Sequence, residues 1–188
     1  MKIALIGNPN TGKSSVFNIL TGLRQQVGNF PGVTVDKKVG TIVLDGVQHT
    51  LIDLPGTYSI YPRSEEEKVV FEVLSDSGHV DHPDLTLVVA DQSNLERNLL
   101  LFTQLYDLGL PMVLVLNMSD VADRKGISIN LELLSSHFPD VLIVETNAKI
   151  GFGKDRLFQL LTESKPIKRT PFIKEEICTK ADVLLKGL

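Results

Sequence analysis

The chain has 188 residues, a formal net charge of −4 and 43% hydrophobic residues, which suits one globular domain with a sizeable core and leaves no basic footprint for nucleic acid. A lone cysteine, Cys178, excludes an intramolecular disulfide framework and fits a reducing compartment. No stretch approaches the roughly 18 apolar residues that span a bilayer, and Met1-Lys2 runs straight into an apolar segment, so the expectation is a soluble, cytoplasmic polypeptide with no signal peptide.

Residues 3–6 are a short apolar run ending at Gly7 and read as a buried parallel strand. A loop rich in Gly, Asn and Pro leads into a predicted helix over 14–20. The stretch 25–33 holds Gly28, Asn29, Pro31 and Gly32 without a period, and is expected to be a loop. Segments 39–44 and 48–52 flank Asp45-Gly46, a strong hairpin signal. A loop over 54–64 precedes a helix over 65–74, with Ser64 as its cap and acids in its first turn. Predicted strands over 85–90, 112–116 and 141–144 then alternate with helices over 95–108, 131–137 and 154–161.

That alternation means βαβ crossovers: an α/β fold with a mostly parallel, doubly wound sheet and one antiparallel hairpin strand. Ligands of such sheets sit at the carboxyl ends of the strands. Residues 165–171 read as a basic, proline-bounded linker, and 172–185 as a helix carried by Ile173, Ile177, Ala181 and Leu184. The expected division is a domain over 1–165, then a linker and the start of a truncated helical domain over 166–188.

Gly7-Asn8-Pro9-Asn10-Thr11-Gly12-Lys13-Ser14 matches G-x-x-x-x-G-K-[ST] between a predicted strand and helix, as a P-loop requires. This makes the expected architecture the three-layer P-loop NTPase fold. The glycines let the backbone wrap a phosphate chain with its N–H groups turned inward, and the helix start, through Ser15, adds its positive end. Lys13 supplies a full charge to the β- and γ-phosphates, and Ser14 offers a hydroxyl to Mg²⁺, which takes hard oxygen ligands. Asp53-Leu54-Pro55-Gly56 closes the second hairpin strand. Asp53 suits a Walker-B-type Mg²⁺ ligand and the Gly56 amide suits the γ-phosphate; an ordinary Asp-Pro-Gly turn is the alternative. Thr34, in the loop before the hairpin, can complete the Mg²⁺ shell and sense the γ-phosphate; its alternative is a β-branched strand start.

Asn117-Met118-Ser119-Asp120 follows the strand over 112–116 and resembles the N-x-x-D guanine motif. A carboxylate at Asp120 accepts from guanine N1–H and the 2-amino group, and adenine offers neither donor. Asn117 can tie this loop to the P-loop. Met118 stands where Lys is usual and can pack its thioether on the base. Thr146-Asn147-Ala148-Lys149 resembles the S-A-K segment whose Ala amide meets the guanine carbonyl, with Asn147 in place of Ser. The implied ligands are GTP and GDP.

Together these segments resemble the translation-factor-like branch of small GTPases, and more closely the intracellular domain of the bacterial ferrous-iron transport protein B (FeoB) family. The resemblance rests on residues 7–14, Asn29-Phe30-Pro31-Gly32-Val33-Thr34, Asp53-Leu54-Pro55-Gly56-Thr57-Tyr58-Ser59, and residues 117–122. Its most specific part is Asp91-Gln92-Ser93-Asn94-Leu95-Glu96-Arg97-Asn98-Leu99. Membership implies slow GTP hydrolysis, a C-terminal membrane permease, a place on the cytoplasmic face of the bacterial inner membrane, and oligomerisation left to regions beyond this chain. It implies a catalytic set of Asn10, Lys13, Thr34 and Gly56. Thr57 occupies the position of the water-orienting Gln of many GTPases. In GTPases resembling this one, an Asn at the place of Asn10 helps hold K⁺, which supplies charge as an arginine finger would.

Two other readings stay open on the residues alone. One is a soluble GTPase of ribosome or tRNA maturation, which a basic domain and a salt-sensitive RNA complex would mark. The other is a GTP sensor that does not hydrolyse. His79-Val80-Asp81-His82 has metal-binding residue types but reads as a solvated loop. Cys178 reads as a helix-packing residue, and Glu65-Glu66-Glu67 as a helix start favoured by the dipole.

Overall fold

The computed structural model describes residues 1–163; the linker and helix expected over 166–188, with Cys178, lie outside the described residues. The chain opens with β1 (Lys2–Gly7) and turns through residues 8–12 into α1 (Lys13–Thr21). β2 (Gln25–Asn29), β3 (Asp36–Leu44) and β4 (Val47–Asp53) follow as an antiparallel meander. Next come α2 (Glu65–Ser75), β5 (Leu85–Asp91), a 3₁₀ turn (Gln92–Asn94) and α3 (Leu95–Asp107). β6 (Met112–Asn117), α4 (Ser119–Arg124), α5 (Leu131–His137), β7 (Leu142–Glu145) and α6 (Lys154–Glu163) complete the described chain.

The seven strands form one sheet in the order β2-β3-β4-β1-β5-β6-β7. Only β3 runs against the others, since β4, β1, β5, β6 and β7 pair in parallel and β2 is antiparallel to β3. The hairpin turn has Asp45 at φ 49° and Gly46 at φ 77°, the two left-handed residues that a type I′ turn demands.

The buried strands sort their residues by the two-residue period of the pleat. Ile3 and Leu5 of β1 join Val16, Phe17 and Leu20 of α1 and Leu157, Leu160 and Leu161 of α6 in one core. Ala4 and Ile6 join Val69, Val70 and Val73 of α2, Leu101, Phe102 and Leu105 of α3, and Phe138 beyond α5 in the other. Helices therefore cover both faces, the three-layer arrangement expected. Phe138 meets Phe102 and Tyr106 edge-on, with centroids 4.8 and 5.2 Å apart, a geometry that aromatic quadrupoles favour. Ser64 caps α2 as expected, its Oγ accepting from the Glu67 N–H at 3.2 Å.

Two elements depart from the sequence reading. Residues 25–29 are not loop: they form edge strand β2, in register from Gln25 opposite Gly40 to Asn29 opposite Asp36. All five residues are exposed. A strand with no buried face carries no apolar alternation, so periodicity is blind to it. The six-residue helix α4 was also unforeseen; it begins after Met118, held at φ 64°, and is too short to show a 3.6-residue pattern.

Candidate nucleotide-binding site

The loops leaving β1, β4, β6 and β7 meet at the carboxyl edge of the sheet, where β1 lies between β4 and β5. On the phosphate side, the backbone N–H groups of residues 10–14 donate to no acceptor among the described residues. Such a run of free amides beside the start of a nine-residue helix makes an anion-binding concavity. Gly12 sits at φ 80°, and a Cβ there would run into the Asn117 side chain; glycine is needed both for the conformation and for the close approach. Asn10 is also left-handed, at φ 65°, and its exposed side chain makes no hydrogen bond among the described residues. Thr11 is buried and ties the loop to itself through Oγ1, which donates to the Asn8 carbonyl at 2.9 Å. Pro9 is exposed, and Ser15 closes the first turn of α1 by donating its N–H to the Gly12 carbonyl at 2.9 Å.

Lys13, Ser14, Thr34, Asp53 and Gly56 line one cavity of about 520 Å³. The Lys13 ammonium is paired with Asp53 Oδ1, and these side chains are only 13% and 7% exposed. Ser14 and Thr34 both present hydroxyls at exposed positions. Ser14, Thr34 and Asp53 are hard oxygen donors around one space, a donor set that suits Mg²⁺. Gly56 is close to the P-loop: a Cβ on it would lie 3.3 Å from Pro9 N, and the Thr57 N–H donates to the Gly7 carbonyl at 3.3 Å.

On the other side, Asn117 is a hub. Its Nδ2 donates to the Thr11 carbonyl at 2.9 Å, while its Oδ1 accepts from Thr146 Oγ1 at 3.1 Å and the Ala148 N–H at 3.0 Å. All four residues are buried. The tie to the P-loop expected of Asn117 is present. The Ala148 amide, expected to face a base carbonyl, is here directed at Asn117. The Met118 methyl reaches within 3.5 Å of the point where a Gly12 Cβ would stand. A second cavity, about 340 Å³, is lined by Ser119, Asp120, Asn147 and Gln92. Asp120 pairs one turn along with Arg124 at 3.1 Å, with the side chains 39% and 70% exposed; an exposed pair of this kind is weak, about 0.3–0.5 kcal/mol, so a better donor displaces it.

Sequence reasoning missed two residues here. Gln92 lines the second cavity and donates from Nε2 to the Leu116 carbonyl at 2.9 Å; it stands in the Asp91–Leu99 run, which carried the resemblance but assigned it no role. Glu67 accepts from the Arg63 N–H at 2.8 Å, and its signal was available as the S-x-x-E spacing from Ser64. The loop over 79–82 is less solvated than its residue types suggest: Asp81 is buried and paired with Lys37 at 2.6 Å, His79 and His82 are half-buried, His79 Nδ1 accepts from the Asp81 N–H, and His82 Nδ1 lies 3.0 Å from the Val73 carbonyl. No cluster of metal-binding side chains occurs among the described residues.

A P-loop between β1 and α1, a hairpin-bearing sheet and an N-x-x-D loop at the end of β6 define a P-loop domain of the GTPase class. The chain belongs to the FeoB family: the family model described as ferrous iron transport protein B matches residues 1–161. It is 41% identical over 167 residues to the Fe(2+) transporter FeoB of Leptospira biflexa, covering 89% of this chain and 24% of that protein. It is 44% identical over 161 residues to an Fe(2+) transport protein A/Fe(2+) transporter FeoB fusion protein of Porphyromonas gingivalis, covering 86% of this chain and 19% of that one. The chain thus spans about a quarter or less of the length of these relatives. Among solved structures, a GDP-bound S. thermophilus NFeoB variant superposes with TM-score 0.84 at 40% identity, over 99% of this chain and 71% of that one. The G domain of the T. maritima FeoB iron transporter gives 0.78 at 37% identity, over 87% and 97%. No helix among the described residues is long and apolar enough to cross a membrane.

Proposed function

We propose that this chain binds Mg²⁺–GTP and hydrolyses it slowly, acting as the switch domain of a membrane ferrous-iron transporter. The observation that carries this reading is the pairing of five free P-loop amides and Lys13 at one end with the Asn117–Asp120 loop at the other. GDP in the S. thermophilus relative supports the same ligand class here.

In this reading residues 7–15 hold the phosphates, with Lys13 on the β- and γ-oxygens. Asn117, Met118, Asp120, Thr146, Asn147 and Ala148 surround guanine, and Asp120 turns from Arg124 to the N1–H and 2-amino donors. Mg²⁺, held by Ser14, Thr34 and Asp53, would neutralise charge on the phosphate oxygens when bound. Since Lys13 and Asp53 face each other in this structure, each must turn to its own ligand as Mg²⁺–GTP enters. Asn10 offers a carbonyl oxygen to K⁺, which would supply positive charge near the phosphates. The catalytic set is Asn10, Lys13, Thr34 and Gly56. In this reading residues 1–165 are the GTPase domain, residues 166–188 lie outside the described residues, and a permease would follow in the full-length protein at the inner membrane.

The test is phosphate release under single turnover in K⁺ and in Na⁺, for the wild type and Asn10→Ala. Cleavage that is faster in K⁺ and loses this preference in Asn10→Ala is expected. Equal rates in all four cases reject the K⁺ role, and GTP binding without any phosphate release leaves a sensor instead of an enzyme.

A further inference from the structure

Thr57 stands where many GTPases carry a Gln, and the backbone at Gly56–Thr57 is held close to the P-loop. The segment after Gly56 is held from three sides. Gln104 of α3 accepts through Oε1 from both Ser59 Oγ and the Ile60 N–H, each at 3.0 Å. Seven residues earlier, and so on the same helix face, the Arg97 guanidinium lies 4.2 Å from the centroid of the Tyr58 ring. Glu67 of α2 binds the Arg63 N–H with one oxygen, and its other oxygen lies 3.0 Å from Thr57 Oγ1. At its start the loop is pinned to the P-loop by the Thr57 N–H on the Gly7 carbonyl.

Gln104 is a half-buried polar residue on the border of the apolar face of its helix. Its neighbours Leu101, Phe102, Leu105 and Tyr106 are buried in the core, and an apolar residue would satisfy the same packing. An acceptor at this place serves the loop, not the core. Arg97 belongs to the Asp91–Leu99 run whose purpose the nucleotide motifs leave unexplained; its carbonyl also accepts from Asn8 Nδ2 at 3.4 Å. One face of α3 thus touches both loops that border the γ-phosphate position.

We propose that Gln104 is a positioning residue for GTP hydrolysis, fixing Ser59 and Ile60 so that the Gly56–Thr57 backbone is registered against the P-loop, with the Arg97–Tyr58 stack as a second clamp. This rests on the hydrolytic reading above. Diphosphate binding uses residues 7–15 and the Asn117–Asp120 loop, none of which Gln104 touches. Loss of the clamp therefore slows cleavage and leaves GDP affinity alone, and a displacement of about 1 Å near a reacting centre costs roughly 10²-fold.

The test uses the 188-residue chain and measures single-turnover GTP cleavage and GDP affinity side by side. Gln104→Leu, which removes the acceptor, is expected to cleave roughly 10-fold or more slowly with GDP affinity within about twofold of wild type. Gln104→Glu keeps an acceptor oxygen and is expected to recover most of the rate. Arg97→Ala, at an exposed position, is expected to show the same split in smaller measure and carries the test if Gln104→Leu does not fold. Wild-type cleavage in Gln104→Leu, no recovery in Gln104→Glu, or parallel loss of GDP affinity overturns the role of Gln104; so does wild-type cleavage in Arg97→Ala where Gln104→Leu does not fold. A wild type that binds GTP without cleaving it overturns the hydrolytic reading, and this one with it.

Discussion

At the base end, Asn117 commits its whole amide to partners from the P-loop and the loop after β7, all buried. At the phosphate end, the amides of residues 10–14 have no acceptor among the described residues, and Lys13 and Asp53 are paired with each other on the wall of a cavity. The difference teaches where each part of the binding free energy resides. On the proposed reading the Asn117 frame of the base pocket is assembled before ligand arrives, only Asp120 having to turn from Arg124, and it would contribute shape and hydrogen-bond selectivity. On the same reading the phosphate pocket is held together by the Lys13–Asp53 pair, which the ligand would exchange for its own charges, and it would contribute electrostatic affinity.

The sharpest way to break this division is Lys13→Ala. Losing charge-assisted contacts to two phosphates, at about 1.5–3 kcal/mol each, is expected to weaken Mg²⁺–GTP by roughly 10²- to 10⁴-fold in calorimetric titration. The preference for guanine over adenine should survive; its loss would show that the two ends are not separable. Next in size is Asn117→Ala, which leaves the Thr11 carbonyl and Ala148 N–H without their partner. The expected cost is about 2–3 kcal/mol even without nucleotide, seen as a melting temperature lowered by roughly 5–10 °C. An unchanged melting curve would mean that the base end is not preassembled. Smallest is Ser64→Ala, which removes the α2 cap for about 1 kcal/mol of stability and should leave guanine selectivity untouched. A selectivity change there would place the cap inside the recognition machinery.

Most of the fold was legible because buried strands and amphipathic helices write their periods into the sequence: residues 3–6, 85–90 and 112–116 fall inside β1, β5 and β6. The Asp45-Gly46 turn and the Ser64 cap were legible because their residue types answer a local backbone demand. β2 was not, since an edge strand exposed on both faces leaves no apolar pattern. Within the site, the motifs lie on loops that the fold gathers at one edge of the sheet, and the Asn117 tie to the P-loop followed from residue chemistry. The pairing of Lys13 with Asp53 did not, because each was read through a separate ligand and nothing local links residues 40 positions apart. Gln104 was invisible for the same reason: it lies within an apolar helix period, and its partners, Ser59 and Ile60, are some 45 positions away.

The most direct measurement is displacement of a fluorescent guanine nucleotide by GTP and by ATP in Mg²⁺, for the wild type and Asp120→Asn. Two lost hydrogen bonds to a carboxylate predict that GTP outcompetes ATP by roughly 10²-fold or more in the wild type, and that Asp120→Asn abolishes most of that margin. Equal displacement by ATP, or a margin unchanged in Asp120→Asn, would contradict guanine recognition by this loop.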